Sequence, residues 1–284
     1  MKIAVTGSTG LIGTGLIQQL KAKGHEIIAL RREHFDMPDD ALKTVLAGSQ
    51  AIIHLAGAPI TKRWTSSYKK ELYESRIDTT RKLVDTIRLM EKKPDVFIST
   101  SAIGIYKPGL EHSENSYGFD EGFLGKLCQD WEQGALAVKS LTRVVIFRMG
   151  VVLDKNGGAL AKLLPVFRAG IGGPVASGKQ GFSWVHLKDV LKAYEFVLEH
   201  NNLHGVFNMT APGPVTNKEF TNTLAKVLNR PAVVPVPEPA LRALYGQAAT
   251  TLTTGAFVKP INLIQAGFQF DFPELEAALQ DILT

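Results

Sequence analysis

Short apolar runs recur along the chain at residues 2–6, 25–30, 50–55, 95–101 and 143–152, and longer amphipathic stretches such as 67–91 and 125–139 lie between them. Runs of five to ten residues rich in Ile, Val and Ala suit strands buried on both faces, and the intervening 3.6-residue periodicity suits covering helices. This alternation predicts an α/β fold with a parallel sheet covered on both sides. Only about 20 residues separate Leu30 from Ala51, which leaves room for a brief third strand around His34–Asp36 and one helix, Asp40–Leu46. From Asn156 onward the texture changes to glycine- and proline-rich connections, Gly157-Gly158, Gly170-Ile171-Gly172-Gly173-Pro174 and Ala211-Pro212-Gly213-Pro214. Segments of this kind cross surfaces and line clefts. Helices are expected near 217–229, 238–246, 260–267 and 273–283, with Val233–Pro237 as an extended link. The boundary therefore falls at 155: a sheet domain over 1–155 and a smaller, mainly helical lobe over 156–284, with sheet-completing segments near 183–210.

The first apolar run ends in Thr6-Gly7-Ser8-Thr9-Gly10-Leu11-Ile12-Gly13, and the helical pattern Leu11, Ile12, Leu16, Ile17, Leu20 follows at once. A strand that turns sharply into a helix through three glycines allows positive φ, close approach of backbone to a pyrophosphate, and tight packing of helix on strand. The first-turn N–H groups and the positive end of the helix dipole then face the phosphates without a basic side chain. A glycine-rich turn with no ligand is the competing reading, and the strand before, the helix after and the second strand at His25–Leu30 favour a dinucleotide site. Where an acidic residue would take the adenine ribose 2′-hydroxyl, the chain has Arg31 and Arg32. Two guanidinium groups there favour a 2′-phosphate, hence NADP(H) over NAD(H), against the alternative of a solvated basic turn.

Composition narrows the classes further. With 284 residues, 45% of them hydrophobic and 21% charged, the chain can bury one sizeable core and a smaller one. The net charge of +5 is spread along the sequence rather than gathered into a basic stripe with interleaved aromatics, which argues against a nucleic-acid partner. The single cysteine, Cys128, excludes an intrachain disulfide and any cysteine-based zinc site, so no metal is expected and a reducing, cytoplasmic setting fits. No uninterrupted run of 18 apolar residues and no basic n-region followed by an apolar h-region occur, so a membrane role is not expected. A small-molecule substrate remains as the partner, and the oligomeric state is open.

Taken together, the glycine run, His54-Leu55-Ala56-Gly57, Ser183-Trp184-Val185-His186-Leu187-Lys188-Asp189-Val190 and Val206-Phe207-Asn208-Met209-Thr210 resemble the extended short-chain dehydrogenase/reductase superfamily over nearly the whole chain. Lys62-Arg63-Trp64-Thr65, Glu74-Ser75-Arg76-Ile77, Asp130-Trp131-Glu132, Arg148–Leu153 and Ala266-Gly267-Phe268 resemble its atypical, sugar-nucleotide-epimerase-like branch, which carries a distinctive C-terminal segment. The resemblance implies a Rossmann-type doubly wound sheet with a helical C-terminal substrate lobe. It places Gly7, Ser8, Thr9, Gly10, Leu11, Ile12, Gly13, Arg31, Arg32, Leu55, Ala56 and Gly57 on the cofactor, the last three beside its adenosine and ribose, with Gly150 and Val151 flanking the nicotinamide.

The superfamily's proton chemistry uses a tyrosine and a lysine spaced YxxxK, with a serine after the fifth strand. Here the stretch is Phe123-Leu124-Gly125-Lys126-Leu127-Cys128: Phe123 or Leu124 stands for the tyrosine, Leu127 or Cys128 for the lysine. Counting from Phe97 puts Ala102 at the serine position, and Ser101, one residue earlier, faces the opposite side of the strand. The remaining candidates for a proton carrier are Ser101, Tyr106 and His186, against structural roles for each. Glu111, Glu114, Asp130 and Glu132 read as solvated. Arg63, Trp64, Arg148, Trp184 and His186 fall where a substrate would enter, as pocket residues or as packing, and Arg148 is open to an internal bridge with an aspartate. The sequence thus supports an NADP(H)-binding oxidoreductase or epimerase-like protein with an atypical active site, or a non-catalytic NADPH-dependent sensor or scaffold.

Overall fold

The computed structural model describes all 284 residues. Six strands form one all-parallel sheet: β1 (Lys2–Thr6), β2 (Glu26–Leu30), β3 (Ala51–His54), β4 (Val96–Ala102), β5 (Arg143–Met149) and β6 (Gly205–Met209), in the spatial order β6-β5-β4-β3-β1-β2. Neighbouring residues on a strand point to opposite faces. Ile3, Val5, Ile53, Ile98 and Phe147 therefore pack under α1 (Leu11–Ala22) on one side. Ala4, Ile52, Phe97 and Ile146 pack under α2 (Asp39–Leu46) and α3 (Ser66–Leu89) on the other. The chain's expected Rossmann-type architecture is present.

Two expectations need correction. No strand forms at His34–Asp36; Arg32–Phe35 is a single helical turn, closed by a hydrogen bond from Arg31 N–H to His34 Nδ1 at 3.1 Å. Without that strand β2 is the edge of the sheet. The run 143–152 is also not one strand. It breaks at Gly150, whose N–H goes to Met209 O at 3.0 Å while Val151 N–H goes to Ser183 O at 2.9 Å. The chain thereby changes partners, and Val151–Asp154 pairs with Trp184–His186 instead. A Cβ at Gly150 would lie 2.8 Å from Ser183 O and 2.9 Å from Thr210 Cγ2, so the crossover admits only glycine.

After α4 (Phe123–Leu136) and the crossover, α5 (Gly158–Arg168), α7 (Asn217–Leu228) and α9 (Leu275–Leu283) enclose a separate core around Trp184, Phe220 and Leu279. Between them in sequence, α6 (Leu187–Glu199) and β6 return to the first layer, where Tyr194, Phe207 and Met209 join the core under α1. α8 (Glu238–Tyr245) lies outside both cores with only Leu241 buried. No helix is long and apolar enough to cross a membrane.

Candidate functional site

The C-terminal ends of β1, β2, β3 and β4 form one edge of the sheet, and the glycine turn closes it against α1. Gly7 has φ +65°, and a Cβ there would lie 2.8 Å from Leu55 O; a Cβ at Gly13 would lie 2.2 Å from Gly7 O. Both positions thus require glycine for the turn to pack against the end of β3 and the first turn of α1. Gly10 N–H closes the turn onto Gly7 O at 3.0 Å. Helix α1 has no side-chain cap and no acidic residue in its first turn, which leaves its leading N–H groups and its dipole unneutralised. Leu11 packs on Gly157 of the loop before α5, so this edge meets the second lobe directly.

A buried polar chain fixes the floor of this edge. Thr80 Oγ1 donates to Arg76 O at 2.6 Å, so it accepts from His54 Nε2–H at 3.0 Å. His54 Nδ1 then accepts from the Thr6 hydroxyl at 2.8 Å, and Thr6 Oγ1 in turn accepts the N–H groups of Leu55 and Ala56, each at 3.0 Å. The imidazole is fully buried, and burial together with the nearby Arg76 charge lowers its pKa to about 3. His54 is thus a neutral hinge pin that holds the Leu55–Ala56 backbone beside Gly7.

Arg31 and Arg32 are exposed at the end of β2, and neither pairs with a carboxylate; the ion pairs near them, Lys2–Glu26 and Lys82–Asp39, use other residues. Gly57, at the end of β3, carries the Arg76 guanidinium on its face, with Cζ 3.0 Å from where a Cβ would stand. The glycine turn, Arg31, Arg32, Leu55, Ala56 and Gly57 therefore share one sheet edge. Gly150 and Val151 lie beyond it at the β5 crossover.

The proton-carrier candidates part company. Tyr106 is buried, its hydroxyl donates to Asn208 Oδ1 at 2.9 Å and accepts from Arg148 Nη1 at 2.7 Å, and its ring stacks on His112 at 4.8 Å. Burial pushes its pKa up. His186 caps α6 by accepting Lys188 N–H at 3.0 Å, stacks on Phe272 at 4.0 Å and approaches Asp281 Oδ2 at 3.2 Å, in the second core rather than at the cleft. Burial lowers its pKa, so it is held neutral. Ser101 Oγ is buried and makes no well-formed hydrogen bond, next to the Cys128 thiol, which burial raises to about 11.

The substrate-entrance residues are likewise mostly spent on the fold. Arg148 is 4% exposed and grips Glu132 bidentately, Nε to Oε1 at 2.8 Å and Nη2 to Oε2 at 2.7 Å. Its partner is thus a glutamate, and Glu132 is buried rather than solvated. Glu114 is not solvated either: its Oε1 accepts Asn208 N–H at 2.8 Å and Asn262 N–H at 3.3 Å. Trp184 is fully buried, with Nε1 donating to Gly213 O at 3.2 Å. Trp64 donates to Ile60 O at 2.9 Å and packs edge-on to Phe123 at 5.5 Å. Arg63 alone is exposed, and it reaches Ala243 O at 2.8 Å, tying the 57–65 loop to α8.

The stretch Phe123–Cys128, where the sequence departs from YxxxK, is packed into the fold. Phe123, Leu124 and Leu127 all pack in the cluster of Trp64, Tyr68 and Trp131. Leu124 Cβ lies 3.7 Å from the position of a Cβ on Gly104, directly after β4, and Cys128 packs with Ile105 and Tyr106 in the same region. The residue the sequence reading passed over is Arg76. Its signal was a basic residue in mid-helix with no acidic partner one turn away on α3.

Comparison with known proteins is consistent with this architecture. A model of the NAD dependent epimerase/dehydratase family matches residues 3–210, and a domain of unknown function (DUF1731) matches 236–282. The chain is 38% identical to the chloroplastic epimerase family protein SDR39U1 homolog of Arabidopsis thaliana, over 100% of this chain and 87% of that one. A crystal structure of human epimerase family protein SDR39U1 (isoform 2) with NADPH superimposes with TM-score 0.91 at 36% identity, covering 99% of both chains. UDP-glucuronic acid 4-epimerase from Bacillus cereus in complex with NAD matches with TM-score 0.78 over 99% of this chain and 95% of that one. At 17% identity that match concerns the fold alone.

Proposed function

The chain belongs to the NAD dependent epimerase/dehydratase family, and from that premise we propose that it binds NADP(H) along the sheet edge and performs oxidoreductase or epimerase-like chemistry on a small substrate. The observation that carries the cofactor assignment is the combination of the Gly7–Gly13 cradle, which a Cβ would fill, with two unpaired arginines at the end of β2. NADPH bound to human SDR39U1 supports the same choice. The cradle and the bare start of α1 would hold the diphosphate, and Arg31 and Arg32 the 2′-phosphate. The cofactor, when bound, supplies hydride chemistry.

The chain's own residues set unusual terms for that chemistry. Neither Phe123 nor Leu124 has a proton to give, and Tyr106 and His186 are engaged inside the fold. Ser101, the third candidate, is buried beside the Cys128 thiol, and its hydroxyl supplies no proton at neutral pH. Water is then the proton source.

Those same replacements favour a second reading, a non-catalytic NADPH-dependent sensor or scaffold. Nicotinamide absorbance followed across a panel of carbonyl compounds and nucleotide sugars separates the two. Oxidation of NADPH, or transfer of isotopic label from its C4 position, is the expected result. Tight NADPH binding with neither response to any compound would leave the sensor.

A further inference from the structure

Arg76 is a half-buried guanidinium at the cofactor edge with no carboxylate partner. Nη1 donates to Leu72 O at 3.1 Å and to Ser75 Oγ at 3.5 Å, and Nη2 to Ala58 O at 2.9 Å; Nε and the second Nη2 hydrogen have no protein partner. A guanidinium removed from bulk water without a counter-charge is costly unless a ligand completes it. Its head lies flat on Gly57 at the end of β3 and 5.2 Å from the centre of the Trp131 ring.

Trp131 is three residues beyond Cys128 on α4, so the two side chains share one helix face. Arg76 from α3 thus points at the region where the YxxxK lysine would have come from α4. Its charge is felt there, since it opposes the rise of the Cys128 thiol. Lysine at 128 and arginine at 76 would set two cations together, whereas the small Cys128 leaves one. Ser101 Oγ, buried and without a well-formed hydrogen bond beside Cys128, is a second unused polar group on the same side.

We propose that Arg76 takes over, from the neighbouring helix, the place of the missing lysine, and that its free N–H groups bind diphosphate and ribose oxygens of the nicotinamide half of the cofactor. The sheet order supports the assignment. From the arginines at the end of β2 across β1 to the end of β3, where Arg76 lies on Gly57, is two strand spacings, about 10 Å, so the two cationic groups are set apart along the edge on which an extended dinucleotide would lie. Arg31 and Arg32 then hold one end, and Arg76 the other. The inference rests on the NADP(H) reading above.

The test is a binding titration of wild type, Arg76→Met and Arg76→Lys with three ligands: NADPH, 2′-phospho-ADP-ribose and 2′,5′-ADP. The last lacks the distal ribose and its phosphate. Arg76→Met is expected to weaken the first two by about ten- to hundredfold and to leave 2′,5′-ADP within about twofold, with Arg76→Lys in between. A merely structural Arg76, bracing the Gly57 turn, would lower affinity for all three ligands together, and that result overturns the proposal. Unchanged NADPH affinity overturns it too. Should Arg76→Met fail to fold, Arg76→Gln keeps donors for the Ala58 and Leu72 carbonyls and is read in the same way. Wild type that binds 2′,5′-ADP but not NADPH defeats the proposal alone; wild type that binds none of the three defeats the cofactor reading itself.

Discussion

The two ends of the proposed cofactor edge differ in how their polar groups are used. At β1 and β2 they face outward: Arg31 and Arg32 pair with nothing, and α1 begins without a cap. Around the ends of β4 and β5 they face inward, with Arg148 locked onto Glu132, Tyr106 held between Arg148 and Asn208, and Glu114 holding two backbone N–H groups. An outward charge stabilises the fold little and is available to a ligand. An inward, fully paired network is built into the fold and is unavailable. The same residue types, arginine, tyrosine and glutamate, therefore carry opposite meanings at the two ends, decided by what each side chain touches.

The largest expected effect breaks the closed end. In Glu132→Gln the Arg148 guanidinium keeps its charge and loses its bidentate partner in a site 4% exposed. Leaving a buried charge unpaired costs about 3–5 kcal/mol, to be read by chemical denaturation. The affinity of the folded protein for 2′,5′-ADP should stay near the wild-type value, because Arg148 is not at the open end. A variant as stable as wild type would show that the pair contributes little, and the contrast between the two ends would lose its energetic basis.

The open end is broken by Arg32→Ala. Because Arg32 makes no contact that the fold needs, stability should move by less than about 0.5 kcal/mol. NADPH binding should weaken by about ten- to hundredfold, as expected for losing a charge-assisted bond to phosphate. NADH, which lacks the 2′-phosphate, should be nearly indifferent. Equal losses for both dinucleotides would remove the assignment of Arg32 to the 2′-phosphate.

Legibility in the sequence follows the same division. The glycine turn could be read directly because its close contact is local, Gly13 against Gly7, and the place of Arg31 and Arg32 follows from the strand that ends just before them. Tyr106, Arg148 and His186 could not, because what fixes their roles comes from 42 and 102 positions away for Tyr106, and from the second core for His186. Their side-chain chemistry alone suits a pocket as well as a core. The brief third strand failed for a different reason: Arg32–Phe35 is polar enough for an edge, but His34 bonds back to Arg31 and closes a turn. The break at Gly150 was hidden because Met149 and Val151 are both apolar, and only the change of hydrogen-bond partner reveals it.

The smallest effect concerns the pin beneath the open end. His54 is neutral in the fold, with a pKa lowered to about 3 from the ordinary 6.5. A base with a depressed folded pKa gives stability that is complete above the unfolded value and is lost as pH falls, since the unfolded chain takes up a proton that the folded chain refuses. Between pH 7 and pH 5.5 that loss is about 1.3 kcal/mol. His54→Gln keeps a donor for Thr80 and an acceptor for Thr6 but does not titrate, so its stability should fall by that much less over the same interval. Burial lowers the pKa of His186 as well, in the second core, and its contribution falls in the same direction in both proteins, so it cancels in the difference. Parallel pH profiles would mean that the imidazole is charged in the fold. Nδ1 would then donate to Thr6 Oγ1 rather than accept from it, and the Thr6 oxygen would face three donors, the imidazole and the N–H groups of Leu55 and Ala56.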